Sequence, residues 1–488
     1  MTSTPTRRQT TRRPLARSHI GARQLVALLG EWESAEPVYA ALATRIRLLL
    51  ADGRLSTHTR LPAERELADE LGRSRTTIVA AYRALRDSGH LISMRGSGSV
   101  LVLPRPRPSQ SAPEVDFARA VPAPVAGLDE IIHALAGRAP EILERSGFDL
   151  VGQRRLRELI AARYTARGAE TTPEHIMITL GAQNAIALTA RTLLRHGDRV
   201  LIEAPTYPHA YEALGNAGGR LASTPVTTMG WDIDHLVSAI ERVRPELIYL
   251  IPDFHNPTSA SMTAEERERV IASARRNGAL LLIDETTADL DIDRLGRPPA
   301  FSSLTPAHAA GTLVSVGSLS KTIWGGLRVG WLRAEPAMIS RLISRRPADD
   351  LGTPVIEQLI ATEVLERYDL LLGRRSEQLR AGRDLLVELL HTQLPDWQIP
   401  DVKGGLSLWV ELGAPLSSAL ASACQRRGVR ITAGPKFGID GAHERFIRVP
   451  FTAEAERIER GVAILREAWE SLDPMATPGS QTHLPPVL

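Results

Sequence analysis

Cysteine and lysine are both scarce in this chain of 488 residues. The single cysteine, Cys424, excludes a disulfide scaffold and a zinc site with cysteine ligands. No apolar run approaches the roughly 20 residues that a helix needs to span a membrane, so we expect a cytoplasmic protein without a membrane partner. Only Lys321, Lys403 and Lys436 are lysines, so 56 of the 59 basic residues are arginine. The length predicts two or three domains.

Charge is unevenly distributed, although the net charge is only +3. Residues 1–107 hold 18 arginines and nine acidic residues, which gives +9. The rest of the chain holds 41 basic and 47 acidic residues, which gives −6. This division predicts that the N-terminal part binds a polyanion and that the remainder does not.

Composition divides the chain into five segments. Residues 1–19 are rich in arginine and threonine without apolar periodicity, which predicts disorder. Their paired arginines also resemble a twin-arginine signal, but no apolar stretch follows them. We then predict a helical domain at 20–103, a proline-rich linker at 104–125, a larger domain at 126–472 and a disordered tail at 473–488.

The larger domain alternates short apolar runs with amphipathic helices. The runs lie at 176–179, 199–203, 247–251, 279–283 and 312–316. This alternation predicts an α/β fold in which a mostly parallel sheet is covered by helices on both faces. From about residue 360 the pattern is more helical with a few strands, which predicts a smaller α+β lobe.

The basic N-terminal part has the pattern of a helix-turn-helix. Leu67 and Leu71 share one face of a short helix that ends at Gly72. Ser74 can then cap the next helix. Residues 91–102 follow as two predicted strands joined by a glycine-tipped wing, RGSGS.

In such folds the second helix enters the major groove with its N-terminal residues at the bases. Arg75 can therefore contact guanine through two hydrogen bonds, whereas Arg65 and the wing suit phosphate contacts. The residues predicted to contact DNA are Arg65, Ser74, Arg75, Thr76, Thr77, Arg95, Gly96 and Gly98. The alternative is a helical protein-interaction domain with a solvated basic face.

The stretch from Pro37 to Val102, with LPAERELADELGRSRTTIVAAYRAL and the wing, resembles a GntR-type winged helix-turn-helix. The resemblance implies that residues 20–103 bind a double-stranded DNA operator. One departure is visible, because several relatives carry an arginine four residues after the position of Arg75. This chain has Val79 there, so the resemblance does not extend to the bases that are read.

Lys321 lies in the glycine-flanked loop GSLSKTIWGGLR, directly after a predicted strand. A lysine amine can lose its proton, as a Schiff base with an aldehyde requires, whereas a guanidinium cannot. The other groups that pyridoxal 5′-phosphate needs are a carboxylate for the pyridinium nitrogen, a stacking aromatic ring, a donor to the ring hydroxyl and phosphate ligands. We therefore predict this cofactor and no metal, with the cofactor bound by Ala182, Gln183, Tyr207, Asn256, Asp284, Ser318, Ser320, Lys321 and Arg328. Taken singly, each residue also has a structural interpretation, such as a helix cap or a core aromatic.

In the order and placement of these motifs, residues from about 140 to 472 resemble fold-type I aminotransferases. The resemblance implies that Arg448, in RFIRVPF, binds the carboxylate of an amino-acid substrate or effector. Thr286 and Thr287 stand where these enzymes keep a tyrosine, and Phe148 stands where the neighbouring subunit supplies another. Because both changes remove a phenolic hydroxyl, we expect cofactor binding with inefficient transamination.

A GntR-type head followed by an aminotransferase-like body resembles the layout of MocR-type bacterial transcription regulators. The resemblance implies a homodimer with the cofactor site at the subunit interface. We expect a pyridoxal-phosphate-dependent regulator that senses an amino compound or the cofactor itself, rather than an enzyme. Two alternatives stay open: a working aminotransferase with an accessory DNA-binding domain, and a DNA-binding protein whose body serves only for dimerisation.

Overall fold

The computed structural model describes residues 18–30, 32, 37–51, 54–94, 98–102, 114–137, 147–294, 298–305, 311–439 and 441–472. The chain forms two compact units, Met1–Ala112 with Glu470–Leu488, and Pro113–Trp469. Arg95, Gly96 and the disorder predicted for 1–17 and 473–488 lie outside the described residues. None of the helices in the described ranges is long and apolar enough to cross a membrane.

The smaller unit combines four helices with a four-stranded sheet of order β1-β2-β4-β3. The helices are α1 (Ala22–Leu29), α2 (Val38–Ala51), α3 (Glu64–Leu71) and α4 (Arg75–Asp87). The strands are β1 (Ser18–His19), β2 (Thr59–Arg60), β3 (Leu91–Met94) and β4 (Gly98–Leu101). Because β1 pairs with β2 in parallel, the prediction of disorder through residue 19 is wrong for the last two residues of that segment.

The helix-turn-helix of the smaller unit is confirmed, and residues within the turn itself determine where its two helices end and begin. Gly72 ends α3 at φ 61°, in the left-handed region that glycine adopts without steric cost. Ser74 caps α4 by accepting a hydrogen bond of 3.1 Å from the Thr77 amide. The core face of α4 is fully buried and includes Ile78, Tyr82 and Leu85. The predicted wing strands are the antiparallel pair β3 and β4.

The larger unit is built on an eight-stranded sheet of order β6-β13-β12-β11-β10-β7-β8-β9. With the strands of the smaller lobe, its strands are β5 (Val115–Asp116), β6 (Ile176–Thr179), β7 (Arg199–Ala204), β8 (Arg220–Thr227), β9 (Gly230–Trp231), β10 (Leu247–Leu250), β11 (Leu280–Asp284), β12 (Leu313–Ser318), β13 (Gly330–Arg333), β14 (Ser407–Glu411), β15 (Val429–Arg430), β16 (Thr432–Ala433) and β17 (Phe446–Pro450). All five predicted strands are present. In the large sheet only β13 and β9 run antiparallel to their neighbours, as far as the described residues show.

Helices cover both faces of this sheet, as predicted, and further helices belong to the smaller lobe. The described helices of the larger unit are α5 (Leu128–Ala136), α6 (Arg154–Ala166), α7 (Ala182–Leu193), α8 (Pro208–Asn216), α9 (Ile233–Val243), α10 (Ala264–Arg276), α11 (Phe301–Leu304), α12 (Pro336–Arg345), α13 (Val355–Glu366), α14 (Tyr368–Gln393), α15 (Ser417–Arg426) and α16 (Ala455–Glu470). Alternate residues of β7 enter different cores: Val200 and Ile202 join one, and Leu201 joins the other. This alternation follows from the two-residue period of a strand.

Residues 114–125 belong to the larger unit, so the linker predicted at 104–125 is wrong over this part. β5 pairs in parallel with β15, which lies more than 300 residues later in the chain. Phe117 is fully buried, and its ring lies so close to Gly461 that a Cβ there would approach it to 2.3 Å. The proline-rich composition correctly signalled irregular backbone but not that this backbone packs against the body.

Candidate functional site

The predicted cofactor residues gather where four parallel strands end. β7, β10, β11 and β12 are neighbours in the sheet, so their carboxyl ends lie at one edge. Tyr207 follows β7, Asn256 follows β10, and Asp284 ends β11. Lys321 follows β12. In open α/β sheets this edge is where ligands bind.

The amine of Lys321 is held by a backbone carbonyl. Its Nζ donates a hydrogen bond of 2.9 Å to the carbonyl oxygen of Ala120. Desolvation, with the nearby Arg448 guanidinium, lowers the pKa of Lys321 to about 8, although the Asp284 carboxylate acts in the opposite direction. A lysine in this setting supplies far more neutral amine at neutral pH than an exposed lysine does.

Asp284 is a buried carboxylate held by two donors. Its Oδ2 accepts a hydrogen bond of 2.8 Å from the Tyr249 hydroxyl, and its Oδ1 accepts one of 2.9 Å from the Thr286 amide. Burial raises the pKa of Asp284, while the two donors oppose that rise. The sequence analysis missed Tyr249; its only signal was a single polar group within the apolar run LIYLI.

Arg448 is buried and only partly satisfied. Its Nη2 donates to the Ala118 carbonyl oxygen at 2.5 Å, and its Nη1 donates to Asn256 Oδ1 at 3.3 Å. Its Nε has no hydrogen-bond partner among the described residues. Desolvation lowers the pKa of Arg448 to about 10. A buried guanidinium with an unused donor suits a carboxylate, which accepts two parallel hydrogen bonds from an arginine.

The aromatic and amide residues lie beside these charges. Tyr207 is half-buried, and desolvation together with the nearby Asp284 carboxylate raises its pKa to about 12. Asn256 is half-buried and bonded to Arg448, as described above. The side chain of Gln183 is already engaged, because its Nε2 donates to the His209 carbonyl oxygen at 2.8 Å. Its contact with the cofactor stays a prediction.

A cationic cradle forms where α7 begins. Gly181 precedes α7 at φ 83°, and a Cβ on it would lie 2.8 Å from Arg328 Nη2. Arg328 Nη2 donates to the Leu180 carbonyl oxygen at 2.7 Å, and Ser318 Oγ lies 3.0 Å from Ser320 Oγ. A helix N-terminus, a guanidinium and two hydroxyls are groups that bind phosphate in proteins, and phosphate binding at this point stays a prediction.

The assembled groups fit pyridoxal 5′-phosphate. A lysine of lowered pKa, a carboxylate fixed by two donors and an anion cradle surround one strand-end site. When bound, the cofactor supplies an aldehyde for the lysine and an electron-withdrawing ring. Within the described residues, no cluster of histidine, cysteine and carboxylate side chains could hold a metal ion.

The positions that depart from aminotransferases have different surroundings. Thr287 Oγ1 donates to the Asp253 carbonyl oxygen at 2.6 Å, so it is already bonded elsewhere. Thr286 reaches Asp284 through its backbone amide. Phe148 is 72% exposed, which is unusual for an aromatic side chain. Neither threonine supplies a phenolic hydroxyl to the site.

The residues predicted to contact DNA lie on the surface of the smaller unit. Arg75 and Thr76 are exposed at the start of α4, and Ser74 Oγ is within 2.8 Å of both the Thr76 and the Thr77 hydroxyl oxygens. Arg65 is exposed on α3. Gly98 opens β4 at φ 77°. Arg95 and Gly96 lie outside the described residues, so their positions stay predictions.

The pKa of Lys321 gives a testable pH dependence for cofactor attachment. Only the neutral amine attacks an aldehyde. The rate at which added cofactor attaches to apoprotein should therefore rise with pH and level off above about 8. Stopped-flow absorbance measures this rate, with a lysine peptide of ordinary pKa, about 10.4, as the control. A protein rate that follows the peptide up to pH 10 would contradict the lowered pKa.

Comparison with known proteins agrees with both halves of this description. Residues 128–465 match the family of class I and II aminotransferases, and residues 38–101 match the bacterial regulatory proteins of the gntR family. The HTH-type transcriptional regulator TauR of Rhodobacter capsulatus is 28% identical, with 88% of this chain and 96% of TauR covered. The probable rhizopine catabolism regulatory protein MocR of Rhizobium meliloti is 29% identical, with 81% and 86% covered.

The larger unit has a fold similar to that of a solved aminotransferase structure. LysN, an α-aminoadipate aminotransferase from Thermus thermophilus complexed with N-(5′-phosphopyridoxyl)-L-leucine, is 28% identical with a TM-score of 0.67. The match covers 73% of this chain and 92% of LysN. The family match implies pyridoxal 5′-phosphate as the cofactor, as the sequence predicted. The chain therefore belongs to the class I and II aminotransferase family and, with a gntR-family domain at its N-terminal side, has the architecture of MocR-type transcription regulators.

Proposed function

We propose that this protein is a homodimeric transcription regulator in which pyridoxal phosphate on Lys321, together with an amino compound, controls DNA binding. The observation that carries this proposal is the path of residues 114–126, here named the bridging segment. This segment follows the DNA-binding unit in the chain and supplies the carbonyl oxygens that contact both Lys321 and Arg448.

The two contacts lie at positions that ligands would use. The carbonyl oxygen of Ala120 accepts from Lys321 Nζ, and that of Ala118 accepts from Arg448 Nη2. Covalent use of Nζ removes hydrogens that it can donate to Ala120. A carboxylate bound to Arg448 competes with Ala118 for the same guanidinium. Both ligands therefore weaken the hydrogen bonds that Lys321 and Arg448 donate to the bridging segment.

The bridging segment is anchored on either side of these contacts. On one side, β5 pairs with β15, and Asp116 Oδ2 lies 3.3 Å from Arg430 Nη1. On the other side, the Ala123 carbonyl oxygen accepts 2.7 Å from Arg375 Nη2, and the Val125 amide donates 3.0 Å to the Ile323 carbonyl oxygen. Both ends of the bridging segment are fixed to the larger unit. When a ligand displaces residues 118–120, the backbone of the segment therefore moves to a different position and does not simply become disordered.

Such contacts are sufficient for regulation. A ligand shifts a conformational equilibrium only by its difference in affinity between two states, and typical couplings change affinity about 5- to 150-fold. Ligands that replace the carbonyls of Ala118 and Ala120 favour the state in which these bonds are broken. In a homodimer, two DNA-binding units can then change their fit to two half-sites together. DNA binding of this kind places the protein in the cytoplasm.

The intact protein should bind the upstream region of its own gene specifically, and cofactor with an amine should change that affinity at least about fivefold. Fluorescence anisotropy over a salt series measures it, because the phosphate contacts that carry affinity are salt-dependent. Absence of any specific DNA complex would overturn the proposed function.

Two variants in the bridging segment separate coupling from simple binding. Asp116→Asn removes the charge that pairs with Arg430 and should move the ligand effect on DNA affinity toward unity. Glu114→Gln is the matched control, since Glu114 pairs with Arg460 at the surface two residues earlier. It should retain the full ligand effect. Equal ligand effects in both variants would contradict a role for the bridging segment.

A working aminotransferase is the second candidate function. Its support is that Arg448 and Asp284, which such an enzyme would use, lie close enough to Lys321 to shift its pKa. The threonines at 286 and 287 argue against efficient turnover, because neither offers a phenolic hydroxyl. Turnover of a panel of amino donors well above the rate with free cofactor would favour the enzyme.

A further inference from the structure

One side chain on the surface of α4 is apolar where its surroundings are cationic. Arg75, Val79 and Arg83 follow one another at four-residue spacing, so they share one face of the helix. Both arginines are exposed, and Val79 is 36% exposed between them. The core-facing residues Ile78 and Tyr82 lie beside this face and are fully buried, so Val79 lies at the exposed edge of the helix's buried side. Val79 is not part of the buried core of this unit.

The arginines on this face are available for a ligand. Across the part of the chain that the structure describes, neither Arg75 nor Arg83 pairs with a carboxylate. By contrast, Arg86, which lies near the end of α4, has Nη2 3.9 Å from Glu64 Oε1. Two unpaired guanidiniums one turn to either side of an isopropyl group make a surface that is positive at its ends and apolar at its centre. Such a surface is complementary to a groove that has anionic edges and an apolar group on its floor.

The floor of the DNA major groove offers one apolar group, the C5-methyl of thymine. Every other base edge there presents hydrogen-bond donors or acceptors, and a valine side chain can satisfy neither. We propose that Val79 reads a thymine by packing against its methyl group, so that it determines base specificity at one position of each half-site. This proposal rests on DNA binding by the smaller unit, as proposed above.

Deoxyuridine tests this proposal because it differs from thymidine only by the missing methyl. The intact protein is first used to enrich its tightest duplex from a random library, and each thymine of that duplex is then replaced singly by deoxyuridine. At one position per half-site, the replacement should weaken binding about fourfold, as expected for the loss of one buried methyl group (~0.8 kcal/mol). Val79→Ala should bind the thymine and uracil duplexes equally.

Arg83→Ala is the matched control one turn along the same face. It should weaken binding to all duplexes and keep the fourfold preference for thymine, since a guanidinium that contacts phosphate does not detect the methyl. Because Val79 is exposed, neither variant removes a core contact. Specific binding with equal affinity for thymine and uracil at every position overturns the assignment of Val79 while DNA binding stands. Failure to enrich any duplex overturns the proposed function together with the inference.

Discussion

We expect the variant Lys321→Ala to lose the visible absorbance band of lysine-bound cofactor completely. The reason is chemical rather than steric, because alanine has no amine to attack an aldehyde. Arg448 and the α7 cradle still attract an anionic ligand, so cofactor can bind without the covalent bond. The absorbance spectrum after addition of cofactor measures the loss, and dialysis shows that the remaining binding is reversible.

The other two lysines provide the controls. Lys403 is largely exposed and pairs with Asp401 at 2.7 Å, whereas Lys436 pairs with Glu212 at 3.0 Å. Since both act as charges that arginine can replace, Lys403→Arg and Lys436→Arg should keep the full band. Borohydride reduction of wild-type protein should fix the cofactor mass on the peptide that contains Lys321. A full band in Lys321→Ala would show that another group binds the cofactor, and no band in wild-type protein would favour the dimerisation-scaffold alternative.

Arg267→Ala should destabilise the larger unit by about 3–5 kcal/mol, the range for breaking a buried ion pair by removing one partner. Arg267 is fully buried on α10, and its Nη2 lies 2.9 Å from Asp253 Oδ1. Its other nitrogens donate to the carbonyl oxygens of Met262 and Pro299 at 3.1 and 3.0 Å. The variant removes the donors to these acceptors and to Asp253, which lies three residues before Asn256.

A matched control lies two residues further along the same helix. Arg269 pairs with Asp234 at the surface, where such pairs contribute about 0–1 kcal/mol. Arg269→Ala should therefore change stability little. Urea unfolding followed by tryptophan fluorescence reports on the larger unit, which contains six of the seven tryptophans. Equal losses in the two variants would contradict the role of the buried pair.

The same network gives the expected direction of the pH dependence. Burial raises the pKa of Asp253, but Arg267 and Arg294 lower it more, so its folded pKa is below the unfolded value. The stabilisation is therefore fully present above the unfolded pKa, about 4, and is lost as the pH falls through the folded pKa. Arg267→Ala should reduce this acid sensitivity.

Local features of this protein were predictable from its sequence. Gly72 and Ser74 set the helix-turn-helix because a left-handed turn and a helix cap depend on a few neighbouring residues. The strands ending near Asp284 and Lys321 were recognisable because buried parallel strands read as continuous apolar runs. Parallel strands end at the same edge of a sheet, so the proximity of the two residues could be predicted without knowing any side-chain contact.

Long-range contacts were not predictable in the same way. Tyr249 bonds to Asp284 across a register that no local pattern encodes. The prolines of the bridging segment predict a linker, because proline is typical of irregular backbone. They give no sign that β5 pairs with β15, a strand far along the chain. Likewise, the composition of α10 gives no sign that Arg267 is buried and Arg269 exposed.

The carbonyl contact between Ala120 and Lys321 has a consequence for how the protein behaves in a cell. Thermodynamic linkage is reciprocal, so a ligand that alters affinity for the operator must be held more or less tightly, by the same factor, once the operator is bound. Copies on the chromosome and copies in free solution would then respond at different metabolite concentrations. If the proposed regulation holds, the number of operators relative to protein molecules would help to set the ligand concentration at which the regulator switches.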